Sequence, residues 1–269
     1  MDWNKTKTIF IVVFSILNVF LYSLYLDRVK ETQNVQVLGK TSIEDSLGLD
    51  NITFTELPLA TKDSSYVSAK IVTFTKEQTK NLENQTIDIS NGTYLQSEMD
   101  VPISVRNGKG DYTFTEFLLK YVLNGTEYIL WEENEEEQQA KFFQKVDGHP
   151  IYFSPDATLI IHWDEEGKVT SYEQRMFGEF VNFNRKKDLL SPIEALGSLS
   201  SRGHLSQDSK VNSMKLGYST LVQLTETQVF APTWHVRVEL KDGKMEDYFI
   251  HAVEGKIIEF QEPADEDHD

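Results

Sequence analysis

The chain has no cysteine. Disulfides, thiolate metal sites and cysteine nucleophiles are therefore excluded. Positive charge is scarce: 26 Lys and Arg stand against 43 Asp and Glu, a formal net charge of −17. A surface of that sign repels nucleic acid and other polyanions, which disfavours nucleic-acid binding. Catalytic signatures are missing as well. There is no HExxH, GxSxG, P-loop or GxGxxG, and the serines near His204 (Ser200, Ser201, Ser206) form no triad pattern. With so many carboxylates, acidic pairs occur by chance and point to no acid–base site. The expectation is a protein that is not an enzyme and uses no cofactor or metal.

Long apolar runs are nearly absent too. Mean hydropathy is −0.40, and one run stands out, IFIVVFSILNVFLYSLYL at 9–26, eighteen residues without a formal charge. As a helix it would be about 27 Å long, close to the hydrocarbon thickness of a bilayer. No small-residue cleavage site follows it, so an uncleaved signal anchor is expected rather than a signal peptide. Lys5 and Lys7 precede the run; Arg28 and Lys30 follow it. The amino terminus breaks that tie and places the short head in the cytoplasm, with the large remainder outside.

Within the run, Ser15, Asn18, Tyr22 and Tyr25 are spaced three, four and three residues apart, and Thr8 extends the same spacing backward. In a helix they share one face. Asn18 falls near the bilayer middle, where its amide wants a partner. Interhelical hydrogen bonds of this kind contribute on the order of 1 kcal/mol. Two readings stay open from spacing alone: a contact face for another helix, or an interfacial belt of Tyr22 and Tyr25 with Asn18 tolerated.

The remainder reads as α+β with antiparallel sheets and short helices. The expected division is a head at 1–8, a transmembrane helix at 9–26, a connector at 27–65, α+β domains at 66–188 and 189–261, and an acidic tail at 262–269. A capping box at Thr41–Glu44 suggests a helix in the connector. Strands are expected at 66–75, 86–90, 93–97, 99–105, 126–131, 157–163 and 169–177, with a hairpin at 139–153. Helical spacing predicts a helix at 113–123, stopped by Asn124-Gly125, and Ser191-Pro192 starts another over 192–199. A strand is expected at 215–228. Asp242-Gly243 is read as a two-residue turn pairing Leu240 with Met245, Val238 with Asp247 and Val236 with Phe249. That register puts Val236, Val238, Leu240, Met245, Phe249, Ile258 and Phe260 on one face, leaves Asp247 discordant there, and aims His235 and His251 to opposite faces. His162 and Asp164 alternate onto one face. The acidic run at 132–137 lacks the spacing of a calcium loop. Three acidic-Gly-Lys turns recur, at Glu166–Lys168, Asp242–Lys244 and Glu254–Lys256, and suggest two similar units. Five Asn-x-Ser/Thr sequons (Asn4, Asn51, Asn84, Asn91, Asn124) carry no inference.

The opening MDWNKTKTIFI, with Ile16-Leu17-Asn18-Val19 inside the apolar run, resembles the start of the YycI (WalI) family. The likeness extends to GHPIYF at 148–153, to 159–163, to SYEQ at 171–174 and to 234–260, which is also loosely PepSY-like. It implies a fold similar to the last two domains of YycH. It also implies a regulator acting with a YycH-like protein on the WalK (YycG) sensor histidine kinase of cell-wall homeostasis, through transmembrane-helix contacts. On that reading Ser15, Asn18, Tyr22 and Tyr25 are the contact face. The competing class is a tethered extracytoplasmic ligand-binding or inhibitory module with a passive anchor.

Overall fold

The computed structural model describes residues 7, 10–11, 13–26, 40–54, 56–59, 63–183, 187–224 and 226–260. Nearly all of the expected head, the first part of the connector (27–39) and the acidic tail lie outside the described residues. Residues 13–26 are helical. The folded region then opens with α1 (Lys40–Leu49), β1 (Thr53–Phe54), β2 (Asp63–Ser64), β3 (Val67–Ile71) and α2 (Lys76–Thr79). There follow β4 (Gln85–Ser90), β5 (Tyr94–Ser104), α3 (Thr115–Tyr121), β6 (Tyr128–Asn134), β7 (Gln139–Val146) and β8 (His149–Tyr152). Next come β9 (Thr158–Trp163), β10 (Lys168–Gln174), β11 (Phe177–Asn182), β12 (Lys187–Asp188) and α4 (Pro192–Ser201). The chain closes with β13 (Lys210–Gln223), β14 (Thr227–Glu239), β15 (Met245–His251) and β16 (Ile257–Ile258).

The architecture is α+β: one extended 14-stranded sheet and few helices. The strands run β11-β3-β14-β13-β8-β7-β9-β10-β5-β4, with β6 against β7, β15 against β14, β16 against β15 and β1 against β13. β2 and β12 form a separate ribbon. Most pairs are antiparallel; β8 and β1 join β13 in parallel. Strand pairing crosses residue 188: β3, early in the chain, lies between β14 and β11.

Local sequence accounts for many element ends. Ser191 and Glu194 form the capping box of α4, with Pro192 at its first turn. Thr75 and Gln78 do the same for α2. Asn124 takes left-handed backbone (φ 51°) after α3. Asn51, Asn84 and Asn91 also have positive φ, so the described sequon asparagines are turn residues.

Period-two alternation builds the cores. In β9, Leu159, Ile161 and Trp163 point inward. With Leu95, Phe142 and Tyr172 they receive Phe114, Phe117 and Tyr121 of the α3 segment. Burying each such side chain contributes about 1.5–3 kcal/mol. A second core packs Ile43 and Leu47 of α1 and Ile193, Leu196 and Leu199 of α4 against Trp234, Val236, Val238 and Ile250. Trp234 satisfies its indole by donating to Leu190 O at 2.9 Å. A further, aromatic cluster of Phe143, Tyr152 and Phe249, with Trp131, Phe153 and Phe260, packs β7 and β8 against β15.

Several expectations are corrected. The strands expected at 93–97 and 99–105 are one strand, β5. The strand expected at 215–228 straddles a hairpin, because β13 ends at Gln223 and β14 begins at Thr227. The β14–β15 register is shifted by one: Glu239 pairs with Met245, Arg237 with Asp247 and His235 with Phe249. Leu240 N donates to Lys244 O and Gly243 N to Leu240 O, with Gly243 at φ 85°. That is a three-residue loop with a left-handed glycine, not a two-residue turn. A one-residue shift exchanges faces. Val236 and Val238 therefore face α1 and α4, while Phe249, Ile258 and Phe260 belong to the aromatic cluster. His235 and His251 now share a face.

Candidate functional site

Ser15, Asn18, Tyr22 and Tyr25 all fall within the helix at 13–26. At about 100° per residue they occupy one face within roughly 80° of arc. All four are exposed. Asn18 Nδ2 donates to Phe14 O at 2.9 Å, one turn back in the same helix. Its Oδ1 makes no hydrogen bond among the described residues and stays open as an acceptor. The helix is apolar on its other faces, and none of its described side chains is buried; Phe14 is 59% and Val19 70% exposed. A helix apolar on most sides is ordinarily enclosed by lipid or protein. Among the described residues, no helix is long and apolar enough to cross a membrane.

A second site was not visible from spacing. His235, on β14, is buried, and its Nε2 lies 2.6 Å from Asp247 Oδ1 on β15. The carboxylate accepts, so Nε2 carries a proton. The imidazole stacks on Phe249 (4.9 Å, 17°) and lies 5.0 Å from the Trp131 ring and 5.5 Å from Tyr152. Arg237 Nε approaches the same carboxylate at 3.9 Å. The Tyr152 hydroxyl is buried without a partner among the described residues. Burial first and Asp247 second push its pKa up. A raised phenol is the opposite of an activated nucleophile. The pair therefore works as a polar pin in an aromatic junction. The misfit of Asp247 on an apolar face was its one sequence signal; the register shift resolves it.

Three other histidines, His162, His149 and His251, are separately engaged. His162 Nε2 lies 3.6 Å from Glu173 Oε1, and this contact is the first cause of a lowered Glu173 pKa. Asp164 instead caps its own turn, accepting from Glu166 N and Lys168 N at 3.0 and 2.9 Å. His149 Nδ1 meets Leu216 O at 3.2 Å. His251 Nδ1 accepts from Val253 N and Glu254 N. In the acidic run, Asn134 Oδ1 accepts from Glu136 N and Glu137 N, making a turn. Glu133 has a raised pKa from burial, then from Glu135 and Asp111. Among the described residues, no cluster of three or more His, Asp or Glu is arranged to hold a metal. A cleft of about 430 Å³ opens beside β11, lined by Val72, Leu123, Glu127, Met176 and Phe180 among others; no histidine lines it.

No curated protein matches the chain. Among solved structures, an uncharacterized protein from Eubacterium rectale is similar at 13% identity, over 79% of this chain and 92% of that one, with a TM-score of 0.48. The sequence model of the YycI protein family matches residues 30–253. That span takes in every described strand and α1–α4 except the last residues of the β15–β16 turn and β16. The chain belongs to the YycI family, a regulatory family of the WalK pathway.

Proposed function

We propose that this protein is a single-pass membrane regulator of the WalK (YycG) sensor histidine kinase, acting together with a YycH-like protein. Residues 9–26 form the span, the head at 1–8 is cytoplasmic, and the folded region is extracytoplasmic. The units at 66–188 and 189–261 form that region, with β3 and β11 of the first lent to the sheet of the second. Regulation needs no chemistry: a partner that binds one kinase conformation better shifts its population.

The observation that carries this reading is the exposed face of Ser15, Asn18, Tyr22 and Tyr25 on a helix with no described apolar side chain buried. The open Oδ1 of Asn18 is what a neighbouring helix would satisfy. The test replaces Ser15 and Asn18 with Leu in the full chain. Co-purification with the kinase and kinase output should both fall, while the folded region keeps its stability. Normal binding and output would show that the face is wrongly assigned. The cleft beside β11 favours a second reading, a ligand-binding module on a passive tether. Regulation that survives replacement of 9–26 by an unrelated span would support that reading instead.

A further inference from the structure

The turn between β15 and β16 is held by a side chain of an unusual kind. His251 N donates to Lys256 O at 2.7 Å and Gly255 N to His251 O at 2.8 Å. Across the turn, His251 Nδ1 accepts from Val253 N at 3.2 Å and Glu254 N at 3.1 Å. Two N–H donors converge on one ring nitrogen. Nδ1 must then be unprotonated, and the ring proton sits on Nε2. His251 is only 6% exposed, and Nε2 is buried without a partner among the described residues.

We propose that His251 is a proton-sensitive latch on the C-terminal β-hairpin, closed by a neutral imidazole and opened when Nδ1 takes up a proton. Protonated Nδ1 would point an N–H at two N–H groups, so both bonds are lost together. The charged ring would also lie buried, where desolvation outweighs the attraction of the Glu254 carboxylate and Lys256 opposes it. The titratable and charged groups facing it are Tyr66, whose ring lies 6.1 Å away before β3, and Glu254 and Lys256 on the turn itself. Where Gly255 approaches α4, its neighbours are the uncharged Leu190 and Ser198. Burial is the leading influence on the imidazole and lowers its pKa from the ordinary 6.5.

The latch has a downstream load. β16 pairs with Phe249 and Ile250 through Ile258 and Ile257. Phe260 packs on Phe153 and Phe249, in the cluster that also holds His235. Opening the turn frees β16 and Phe260 and uncovers that aromatic junction.

The test is hydrogen exchange on the full chain in detergent, compared from about pH 7.5 to about pH 5. Protection factors at Val253, Glu254 and Ile257 should fall by up to about tenfold per pH unit below the ordinary histidine value, while those in β9 and β10 hold. H251N keeps an acceptor of similar reach and removes the titration. It should stay protected across the range, and H251F should be unprotected throughout. Ring-nitrogen NMR of the unaltered protein gives an independent reading, expected to show the Nε2–H tautomer at neutral pH. An Nδ1–H tautomer, or equal pH dependence in the unaltered chain and H251N, overturns the proposal.

Discussion

Three turns in this chain share an acidic-Gly-Lys sequence, and two of them differ from the third in the group that locks them. In the first, Asp164 N donates to Lys168 O and Gly167 N to Asp164 O, while Asp164 Oδ1 accepts two backbone N–H groups. In the second, Leu240 and Lys244 make the same backbone pair, and Asp242 Oδ1 accepts from Lys244 N. The third turn is one residue longer: His251 N donates to Lys256 O and Gly255 N to His251 O, and the side-chain acceptor is an imidazole instead of a carboxylate. The glycines have φ of 72°, 85° and 68°, a region that L side chains enter only under strain. A left-handed glycine before a lysine thus closes turns of two lengths and of two acid-base characters. A carboxylate keeps accepting until pH approaches its own low pKa. An imidazole stops accepting at higher pH than a carboxylate, at a point that burial lowers for His251.

The largest expected effect calibrates the third turn against its packing. Phe249 lies one residue before Ile250 on β15, pairs with Ile258 and stacks on His235. Phe249→Ala should cost about 3–5 kcal/mol in denaturant unfolding at neutral pH. A loss below about 1 kcal/mol would mean that the aromatic junction does not hold β15 and β16 in place. The acid sensitivity of the turn would then have no packed element to release.

Next in size are the carboxylate locks. Asp164→Ala removes two accepted bonds and should cost about 1–3 kcal/mol; Asp242→Ala removes one and should cost about half as much. Equal losses would show that the backbone pair, not the side-chain acceptor, sets the strength of these turns. The pH dependence separates the classes further. The folded-state pKa of His251 is lowered, so the unfolded chain binds more protons below 6.5 and stability is lost as pH falls from there. Glu173 is also lowered, by His162 first; its contribution is present above 4.5 and fades as pH drops through the folded value. Acid titration should thus loosen the 251–256 turn before the β9–β10 contact, read by residue-resolved NMR. The reverse order would contradict the assignment of acceptors.

Much of this was legible where the signal is local. Ser191-Pro192 with Glu194, Asn124 after α3, and Asp147-Gly148 between β7 and β8 each state their backbone geometry within a few residues. Legibility failed where the deciding contact is distant or the turn signal is weak. Gln223 to Thr227 turns a long hairpin with no Gly, Pro, Asn or Asp between, so β13 and β14 read as one strand. β3 finds β14 more than 150 residues away, and no periodicity announces that. Asp242-Gly243 fits two loop lengths, and the choice between them moves every side chain of β15 to the other face. The His235–Asp247 pin depends on that choice. For the N-terminal face, spacing alone supplied Ser15, Asn18, Tyr22 and Tyr25, and the partner contact proposed for them has no trace in this chain's own packing.

The smallest expected effect concerns the lysine that gives these turns their third letter. Lys244 Nζ lies 2.9 Å from Glu246 Oε1, and Lys168 and Lys256 make similar contacts with Glu166 and Glu254. The lysine side chains are 43–66% exposed, so solvent and salt screen the attraction and holding two long side chains offsets part of it. Lys244→Ala should leave the denaturant midpoint almost unmoved, and any small change should vanish in about 1 M salt. A larger, salt-independent loss would mean that the lysine stem packs against the turn. The lysine would then join the glycine and the side-chain acceptor as part of what closes it. With only a small loss, the recurrence of the triplet rests on the glycine and on the acceptor. The acceptor then sets apart the turn that answers to protons from the two, one residue shorter, that do not.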